Sequence, residues 1–395
     1  MSMKTALVKK SNWSSRVRGQ ALYAAAILAL ILVVVLLYSC KDDEGGGPDP
    51  DPTSSKTFTV DGTRLLDPCG DAVILKGLNK MSVFDENDPE GAVYFPEIAK
   101  TGANSVRIVW QKTNSEGKAT SLTTLEALIK NCIKEKMIPI VEMHEATCNL
   151  NGLNDLVNFW SSAPVVALVQ KYQHALLVNI ANEAGDYSVT APQFETAYKS
   201  AITTLRTAGI NTPLIIDAPD CGKNLELIVP IAAGLVSHDP KHNILFSAHP
   251  YWSKVDGATP QFIAGQLNAA ASAGVPLILG EVCAFGGYPG DNVPEYYGCS
   301  AEGAVDYASI LTEAAKHNIG WLLWEWGPGN GYYNVDPVVL CPTMDISTNG
   351  TYASVQAITP NDPNAWAKDA VITGAYSIKN TAVKSTYIQN GFVCQ

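Results

Sequence analysis

The chain has 395 residues, 47% of them hydrophobic and 16% charged, and this composition excludes a disordered protein. The formal net charge is −11, but residues 1–40 hold five basic residues and no acidic one, so the other 22 basic and 38 acidic residues sum to −16. A domain this acidic repels nucleic acid, because phosphate binding requires clustered Lys and Arg. We therefore expect no nucleic-acid partner and a neutral substrate.

The N-terminal segment, residues 1–40, predicts a targeting signal. A basic stretch leads into the apolar run 21–37, and Cys40 follows the small residue Ser39 at its end. This arrangement resembles a bacterial lipobox, which implies that Cys40 is lipidated. A retained membrane-anchor helix stays open as the alternative, because the apolar run is long and Tyr38 is unusual in a lipobox. Either interpretation tethers the protein to a membrane.

Residues 41–56 predict a flexible linker. They combine acidic residues, three glycines and a Pro-Asp repeat, a composition that cannot bury apolar area. Residues 41–44 (Lys-Asp-Asp-Glu) are similar to the surface-export signal of Bacteroidota lipoproteins. This resemblance implies an exported, lipid-anchored protein on the outer membrane of a Gram-negative bacterium, facing outward.

Eight cysteines follow Cys40, and an even number in an exported chain favours disulfide bonds. We predict that Cys69 pairs with Cys394 and so ties the two ends of the domain together. The sequence leaves the pairing of the other six open.

From residue 58 onward, short apolar runs alternate with stretches of helical period. Continuous apolar runs are typical of strands that are buried on both faces of a parallel sheet. Eight such strands, interleaved with helices, predict a single (β/α)₈ barrel, the TIM-barrel fold, over residues 57–395. A doubly wound sheet would carry a Gly-rich phosphate turn after an early strand, and the sequence has none.

The elements of this barrel can be placed along the chain. The predicted strands are residues 73–78, 105–110, 138–144, 176–182, 214–218, 244–249, 277–281 and 321–326. The predicted helices include residues 122–136, 191–208, 261–273 and 301–317. Residues 58–67 predict a small hairpin that covers the floor of the barrel.

Polar and aromatic residues occupy the C-terminal ends of these strands, where barrels of this kind hold their active sites. The residues at these ends are Arg107, Trp110, His144, Glu145, Asn182, Glu183, Asp217, His249, Tyr251, Glu281, Trp324 and Trp326. We expect Asp217 to support structure. Since the first strand lacks the His-x-His pattern of metal-dependent barrel hydrolases and no cysteines have C-x-x-C spacing, we expect neither a metal ion nor another cofactor.

Glu183 and Glu281 end strands on opposite sides of the barrel, so their carboxyl groups can face each other. Retaining glycoside hydrolysis requires two carboxyl groups about 5–5.5 Å apart, one as acid/base and one as nucleophile. Arg107 and Tyr251 are suited to hold Glu281 as a carboxylate, whereas Glu183, beside Ala184, is expected to keep its proton. The structural alternatives are a helix-start acid for Glu183 and an ion pair with Arg107 for Glu281.

Residues 177–183 (LVNIANE) and 277–281 (LILGE) resemble the two catalytic signatures of glycoside hydrolase family 5. Residues 102–107, 142–147 and 246–251 fit the same family and are closest to its bacterial β-mannanase branch. The resemblance implies a retaining endo-β-1,4-glycanase that acts on a β-1,4-linked polysaccharide.

The resemblance also implies roles for individual side chains. Asn182 is implied to bind the sugar 2-hydroxyl, and His249 and Tyr251 to order the nucleophile. Trp324 lies in a segment matching the family's stacking Trp, and since it alternates with Trp326 along the strand, we expect only Trp324 to line the cleft. The candidate substrate-binding residues are Arg107, His144, Asn182, His249, Tyr251, Trp324, Trp110 and Trp252.

Two departures from the mannanase pattern lie at the cleft. Ala184 stands where this branch usually has an aromatic residue, and the loop 282–300 is long. They leave the reaction type intact and the preferred sugar open. An endo-β-1,4-mannanase is the leading hypothesis, an endo-β-1,4-glucanase the alternative, and a non-catalytic sugar-binding lipoprotein a third. We expect a monomer.

Overall fold

The computed structural model describes residues 56–286, 303–329 and 344–394. The predicted signal with Cys40 lies outside the described residues, as do nearly all of the predicted linker, most of the loop 282–300, Cys299 and Cys341. No helix in the described ranges is both long and apolar enough to cross a bilayer.

Eight parallel strands close into a barrel, and helices follow them around the outside. In chain order the strands are β1 Thr59–Asp61, β2 Arg64–Leu66, β3 Ala72–Val73, β4 Lys76–Lys80, β5 Ser105–Trp110, β6 Ile138–Met143, β7 Leu177–Asn179, β8 Leu214–Asp217, β9 Ile244–Ala248, β10 Leu277–Val282 and β11 Gly320–Leu323. Strands β4 to β11 form the barrel, and β11 pairs with β4 to close it. The predicted (β/α)₈ fold is confirmed.

A three-stranded antiparallel sheet, β1 to β3, covers the floor of the barrel. Phe58 is fully buried there against the N-terminal parts of the barrel strands, and the Asn243 side chain bonds the backbone of both Phe58 and Val60. The predicted floor hairpin is confirmed and gains a third strand. The predicted strand 73–78 is wrong as one element: Val73 belongs to the floor sheet, and the barrel strand begins at Lys76. The apolar pattern could not reveal this break, because both pieces contribute buried apolar residues: Val73 before the break and Leu78 after it.

The main helices lie close to their predicted places. They are α1 Tyr94–Ala99, α2 Leu122–Lys134, α3 Leu153–Trp160, α4 Ala163–Tyr172, α5 Ala191–Ala208, α6 Leu225–His238, α7 Pro260–Ser272, α8 Tyr307–Lys316, α9 Tyr352–Ala357, α10 Ala365–Lys368, α11 Ile378–Thr381 and α12 Thr386–Gln389. The bounds of α5 are as predicted, since Thr190 and Gln193 cap its start and Gly209 ends it in the left-handed region. The predicted helix 301–317 begins only at Tyr307, where Asp306 caps it.

Two disulfide bonds join distant parts of the chain. The predicted Cys69–Cys394 bond is confirmed and ties the floor to the C-terminus. A second bond, Cys148–Cys221, lies at the opposite, C-terminal end of the barrel strands. Among the six cysteines that the structure describes, Cys132 and Cys283 are free, buried thiols.

Candidate active site

The two candidate catalytic acids lie at the C-terminal end of the barrel strands. Glu281 is inside β10, whereas β7 ends at Asn179, so Glu183 lies in the turn after the strand rather than at the end of the predicted run 176–182. The backbone of Glu183 is left-handed, with φ +47°. An oxygen of Glu183, an oxygen of Glu281 and a ring nitrogen of His249 all lie within 4.8 Å of one another. Two carboxyl groups this close match the arrangement of a retaining glycosidase.

Arg107 on β5 connects the residues of this site. It is 1% exposed and uses all five of its N–H donors in hydrogen bonds of 2.7–3.2 Å. Burial lowers its pKa, but the surrounding carboxylates outweigh burial and raise it, so the guanidinium stays charged. Its acceptors are the side chains of Asn79, Asn179, Asn182, Asp217 and Glu281.

Glu281 is held by one hydrogen bond to each carboxylate oxygen. Arg107 donates to Oε1 at 2.8 Å and the Tyr251 hydroxyl to Oε2 at 2.8 Å. Burial raises the pKa of Glu281 to about 7, even though Arg107, His144 and the Tyr251 hydrogen bond lower it. The carboxylate form is therefore the one that the contacts stabilise, as expected of a nucleophile.

Glu183 has a different environment. Burial raises its pKa well above the ordinary value of 4.5, and the charges of Glu281 and Asp217 raise it further. Arg107 makes no hydrogen bond to it among the described residues. Arg107 and Tyr251 thus favour the charged form of Glu281, whereas Glu183 lacks the Arg107 contact, and this is the difference in environment that a nucleophile and an acid/base require.

His249 lies between the two acids. Its Nδ1 is 2.7 Å from Glu183 Oε1 and 3.5 Å from Glu281 Oε1. The family resemblance implies that His249 orders the nucleophile, whereas the structure gives it a hydrogen bond with the acid/base. Burial, then the charges of Arg107 and His144, hold its pKa well below 6.5, so the ring is neutral. A neutral imidazole can accept a hydrogen bond from protonated Glu183 or donate one to its carboxylate, depending on the tautomer.

His144 and Trp324 form the next part of the cleft. Their rings are nearly parallel, with centroids 6.1 Å apart. His144 Nδ1 lies 2.9 Å from Glu142; burial lowers the pKa of His144, but Glu142 outweighs burial and raises it. Strand β11 ends at Leu323, so the predicted strand 321–326 is too long and alternation does not fix the direction of either Trp. Trp326 is nevertheless fully buried and bonds the Gly350 carbonyl.

Trp110 and Trp252 differ from the other candidates. They are 2% and 5% exposed, and no hydrogen bond or ring contact joins either one to the two acids in the described part of the chain. The indole of Trp252 donates to the Lys223 carbonyl and packs edge-on against Phe262. Trp324 is 6% exposed, so exposure does not separate these two rings from it, and the sugar-platform role of all three stays a prediction.

The Cellulase (glycosyl hydrolase family 5) model matches residues 66–330 of the sequence. The chain belongs to glycoside hydrolase family 5. It is 30% identical over 286 residues to a mannan endo-1,4-beta-mannosidase of Streptomyces lividans, covering 71% of this chain and 68% of that one. It is 26% identical over 344 residues to the mannan endo-1,4-beta-mannosidase of Cellvibrio japonicus, and the match covers 85% of this chain and 70% of that one.

The fold is also shared with solved structures. A Thermomonospora fusca β-mannanase, solved as a mannotriose complex, superimposes with a TM-score of 0.67 at 24% identity. The match covers 85% of this chain and 100% of that one. At this identity the likeness shows the fold alone.

Sequence reasoning missed three site residues of this family 5 glycoside hydrolase. Asn79 and Asn179 accept hydrogen bonds from Arg107, and Glu142 pairs with His144. All three are at most 1% exposed on strands. The available signal was a polar residue inside an otherwise apolar strand, since such a residue must have buried partners.

Glu183, His249 and Glu281 also offer three ligand atoms close enough for a metal ion. However, the charged Arg107 lies 2.8 Å from Glu281 and would repel a cation at that position. The expectation of no metal stays a prediction.

Proposed function

We propose that this glycoside hydrolase cleaves β-1,4-mannan internally, with retention of anomeric configuration. The observation that carries the proposal is the close pair of buried acids, one held as a carboxylate by Arg107 and Tyr251 and the other holding its proton. The names of the relatives, both mannan endo-1,4-beta-mannosidases, support mannan as the substrate.

In the first step Glu281 attacks the anomeric carbon while the bond to the glycosidic oxygen breaks. Glu183 gives its proton to that oxygen, so the leaving sugar departs as a neutral alcohol. The product is a glycosyl ester on Glu281. Asn182 is oriented by Arg107 and Thr147 and is suited to bind the sugar 2-hydroxyl, while Trp324 is suited to stack under the sugar.

In the second step Glu183 acts as a base. Once Glu281 is an uncharged ester, a main cause of the raised pKa of Glu183 is gone, so Glu183 can remain ionised. It then takes a proton from the water that attacks the anomeric carbon, while the ester bond to Glu281 breaks and frees Glu281 as a carboxylate. His249 can bond Glu183 in both protonation states by changing tautomer, which keeps the side chain in place throughout the cycle.

An endo-β-1,4-glucanase is the second candidate, since the matching family model bears the name cellulase. Mannan and glucan differ at C2 of the sugar, close to where Asn182 is placed. Ala184, which is fully buried, stands where the mannanase branch usually has an aromatic residue. The sequence therefore does not decide between mannan and glucan.

The test is release of reducing sugar from galactomannan, glucomannan and carboxymethyl cellulose by the full-length protein, with Glu281→Gln as the inactive control. We expect release from both mannans and a loss on the order of 10⁴-fold or more in the variant, as for removal of other catalytic nucleophiles. Release from carboxymethyl cellulose alone identifies a glucanase. If no reducing sugar is released from any of the three substrates, the proposal that the protein hydrolyses these glycans is wrong.

The outward-facing membrane anchor at Cys40 and the monomeric state stay predictions from the sequence. Labelling of cells with a palmitate analogue tests the anchor, with Cys40→Ala as the control. We expect label on the wild type and none on the variant. Equal labelling of the two contradicts lipidation at Cys40.

A further inference from the structure

The Cys148–Cys221 disulfide spans the strand that leads to the acid/base. Cys148 follows β6 and Cys221 follows β8, and the barrel places β7 between these two strands. The Cα atoms of the two cysteines are 4.6 Å apart, so their loops meet beside the turn that carries Glu183.

Both cysteines bond the backbone of that turn. The amide of Cys148 donates to the Glu183 carbonyl at 2.9 Å, and the amide of Cys221 donates to the Gly185 carbonyl at 3.0 Å. A β-bridge between Thr147 and Ala184 lies between these two bonds. The sulfur–sulfur bond therefore links the two donors that fix the start and the end of the turn.

The conformation of Glu183 needs such fixing. Its φ of +47° is unfavourable for a residue with a Cβ atom and persists only where the surroundings impose it. If the turn relaxed to a negative φ, the carboxyl group would swing away from Glu281 and His249. The two amide bonds from the cysteines oppose that relaxation.

The neighbours of the cysteines reach the other side chains of the site. Thr147, next to Cys148, accepts a hydrogen bond from the Asn182 side chain at 2.9 Å. The carbonyl of Gly222, next to Cys221, accepts from the His249 amide at 2.8 Å, and the His249 ring bonds Glu183. The disulfide thus supports both the backbone of the acid/base and its side-chain partner.

We propose that the Cys148–Cys221 disulfide is a positioning element for general acid catalysis. It holds the Glu183 turn in its left-handed conformation so that the carboxyl group meets the glycosidic oxygen. This inference rests on the proposed function, because it assigns the acid/base role to Glu183. It goes beyond that function by giving the two cysteines a part in the rate of the first chemical step.

The experiment compares Cys148→Ala/Cys221→Ala with a matched removal of the other disulfide, Cys69→Ala/Cys394→Ala, in the full-length protein. Two substrates distinguish a loss of acid catalysis from a general loss of activity. An unactivated oligosaccharide, taken from whichever glycan the wild type hydrolyses, needs protonation of its leaving group. The matching 2,4-dinitrophenyl glycoside does not, because dinitrophenolate departs unprotonated.

We expect the 148/221 variant to lose about 10- to 100-fold in kcat/KM on the oligosaccharide, since a misplacement of about 1 Å can cost that much. Its loss in kcat/KM on the dinitrophenyl glycoside should be less than about 3-fold, because the leaving group of this substrate needs no acid. For the same reason we expect a loss of the same size in kcat/KM for Glu183→Ala on this substrate. The 69/394 variant should lose thermal stability and show no such difference between substrates. Equal losses on both substrates, no loss at all, or the same selective loss in the 69/394 variant overturns the proposal.

A crystal structure of the 148/221 variant gives a readout that does not depend on activity. We expect Glu183 to leave the left-handed region and its contact with His249 to lengthen beyond hydrogen-bond distance. A turn that keeps φ near +47° and the 2.7 Å contact overturns the positioning role even if the protein hydrolyses none of the glycans. If the protein hydrolyses none of the glycans, the wild-type assay contradicts the proposed function, and the crystal structure still decides on the positioning role.

Discussion

At Glu281, burial and hydrogen bonding act in opposite directions on one proton. Burial raises the pKa of this carboxyl, and the contacts from Arg107 and Tyr251 lower it, with a result of about 7. A nucleophile must be ionised to attack, so the acidic limb of the kcat/KM profile is expected to follow this group. The basic limb is expected to follow Glu183, which has no hydrogen bond from Arg107 in the described residues and whose pKa is raised well above its ordinary value by burial and then by the charge of Glu281.

Tyr251→Phe removes one hydrogen bond to the ionised form of Glu281 and should therefore raise its pKa. A hydrogen bond to a charged group contributes about 1.5–3 kcal/mol, and one pKa unit corresponds to about 1.4 kcal/mol. We expect the acidic limb of kcat/KM to move up by about one to two pH units, measured on the soluble oligosaccharide.

Tyr198→Phe is the matched control for this change. Tyr198 is also fully buried, and its hydroxyl has no hydrogen-bond partner in the described ranges of the chain. Its substitution should leave the acidic limb in place. If the limb moves equally in both variants, or not at all in Tyr251→Phe, the role of Tyr251 is wrong.

At the scale of elements, the loop after β8 supports the site through its backbone. Gly222 lies in this loop with φ +82°, and a Cβ atom there would come within 2.7 Å of the His249 Cβ. Its carbonyl also accepts the His249 amide. The loop can approach His249 this closely only because residue 222 is glycine.

Gly222→Ala should displace His249 and with it the partner of Glu183. We expect a loss in kcat of about 10- to 100-fold, the scale on which small misplacements act, measured by steady-state kinetics. Gly117→Ala is the control: Gly117 also has a positive φ, +73°, but a Cβ atom there meets nothing within 4 Å. Similar losses of activity in both variants would mean that backbone strain, rather than contact with His249, is responsible.

At the scale of the whole molecule, structural and catalytic features lie at opposite ends of the barrel. The floor sheet and the Cys69–Cys394 bond close the N-terminal ends of the strands. The buried acids are at the C-terminal ends, where they cost stability whenever they are charged. The pKa of Glu183 is raised in the folded state, so the folded protein binds this proton more tightly than the unfolded chain does.

Stability should therefore be lost as the pH rises from about 4.5, the ordinary value for Glu, through the raised pKa of Glu183. Glu183→Gln removes this loss. We expect the variant to have a higher Tm than the wild type at pH 7.5, by roughly 1–2 °C for each kcal/mol recovered in a domain of this size. Below pH 4.5, where both states are protonated, the difference should vanish.

Thermal unfolding at pH 4 and pH 7.5 measures this effect. Glu86→Gln, at an exposed position outside the helices, makes the same chemical change at the surface and serves as the comparison. A Tm difference for Glu183→Gln that is equal at both pH values would indicate a change in packing instead of a change in proton binding.

The sequence by itself determined the barrel, the order of its strands along the chain and the positions of Glu183 and Glu281. These follow from local properties: apolar runs indicate buried strands, and polar residues where these runs end point to the active-site rim. The Cys69–Cys394 pair was also predictable, since the two residues lie near the ends of the domain.

Only the tertiary structure decided how these side chains meet. The five partners of Arg107 come from four different strands or their ends, and no spacing along the chain encodes that contact. Likewise, Cys148 and Cys221 are 73 residues apart, and their pairing depends on β6 and β8 flanking β7. The direction of a side chain after a strand has ended, as at Glu183 and Trp324, is set by the turn and its neighbours, because the two-residue period of the strand no longer applies.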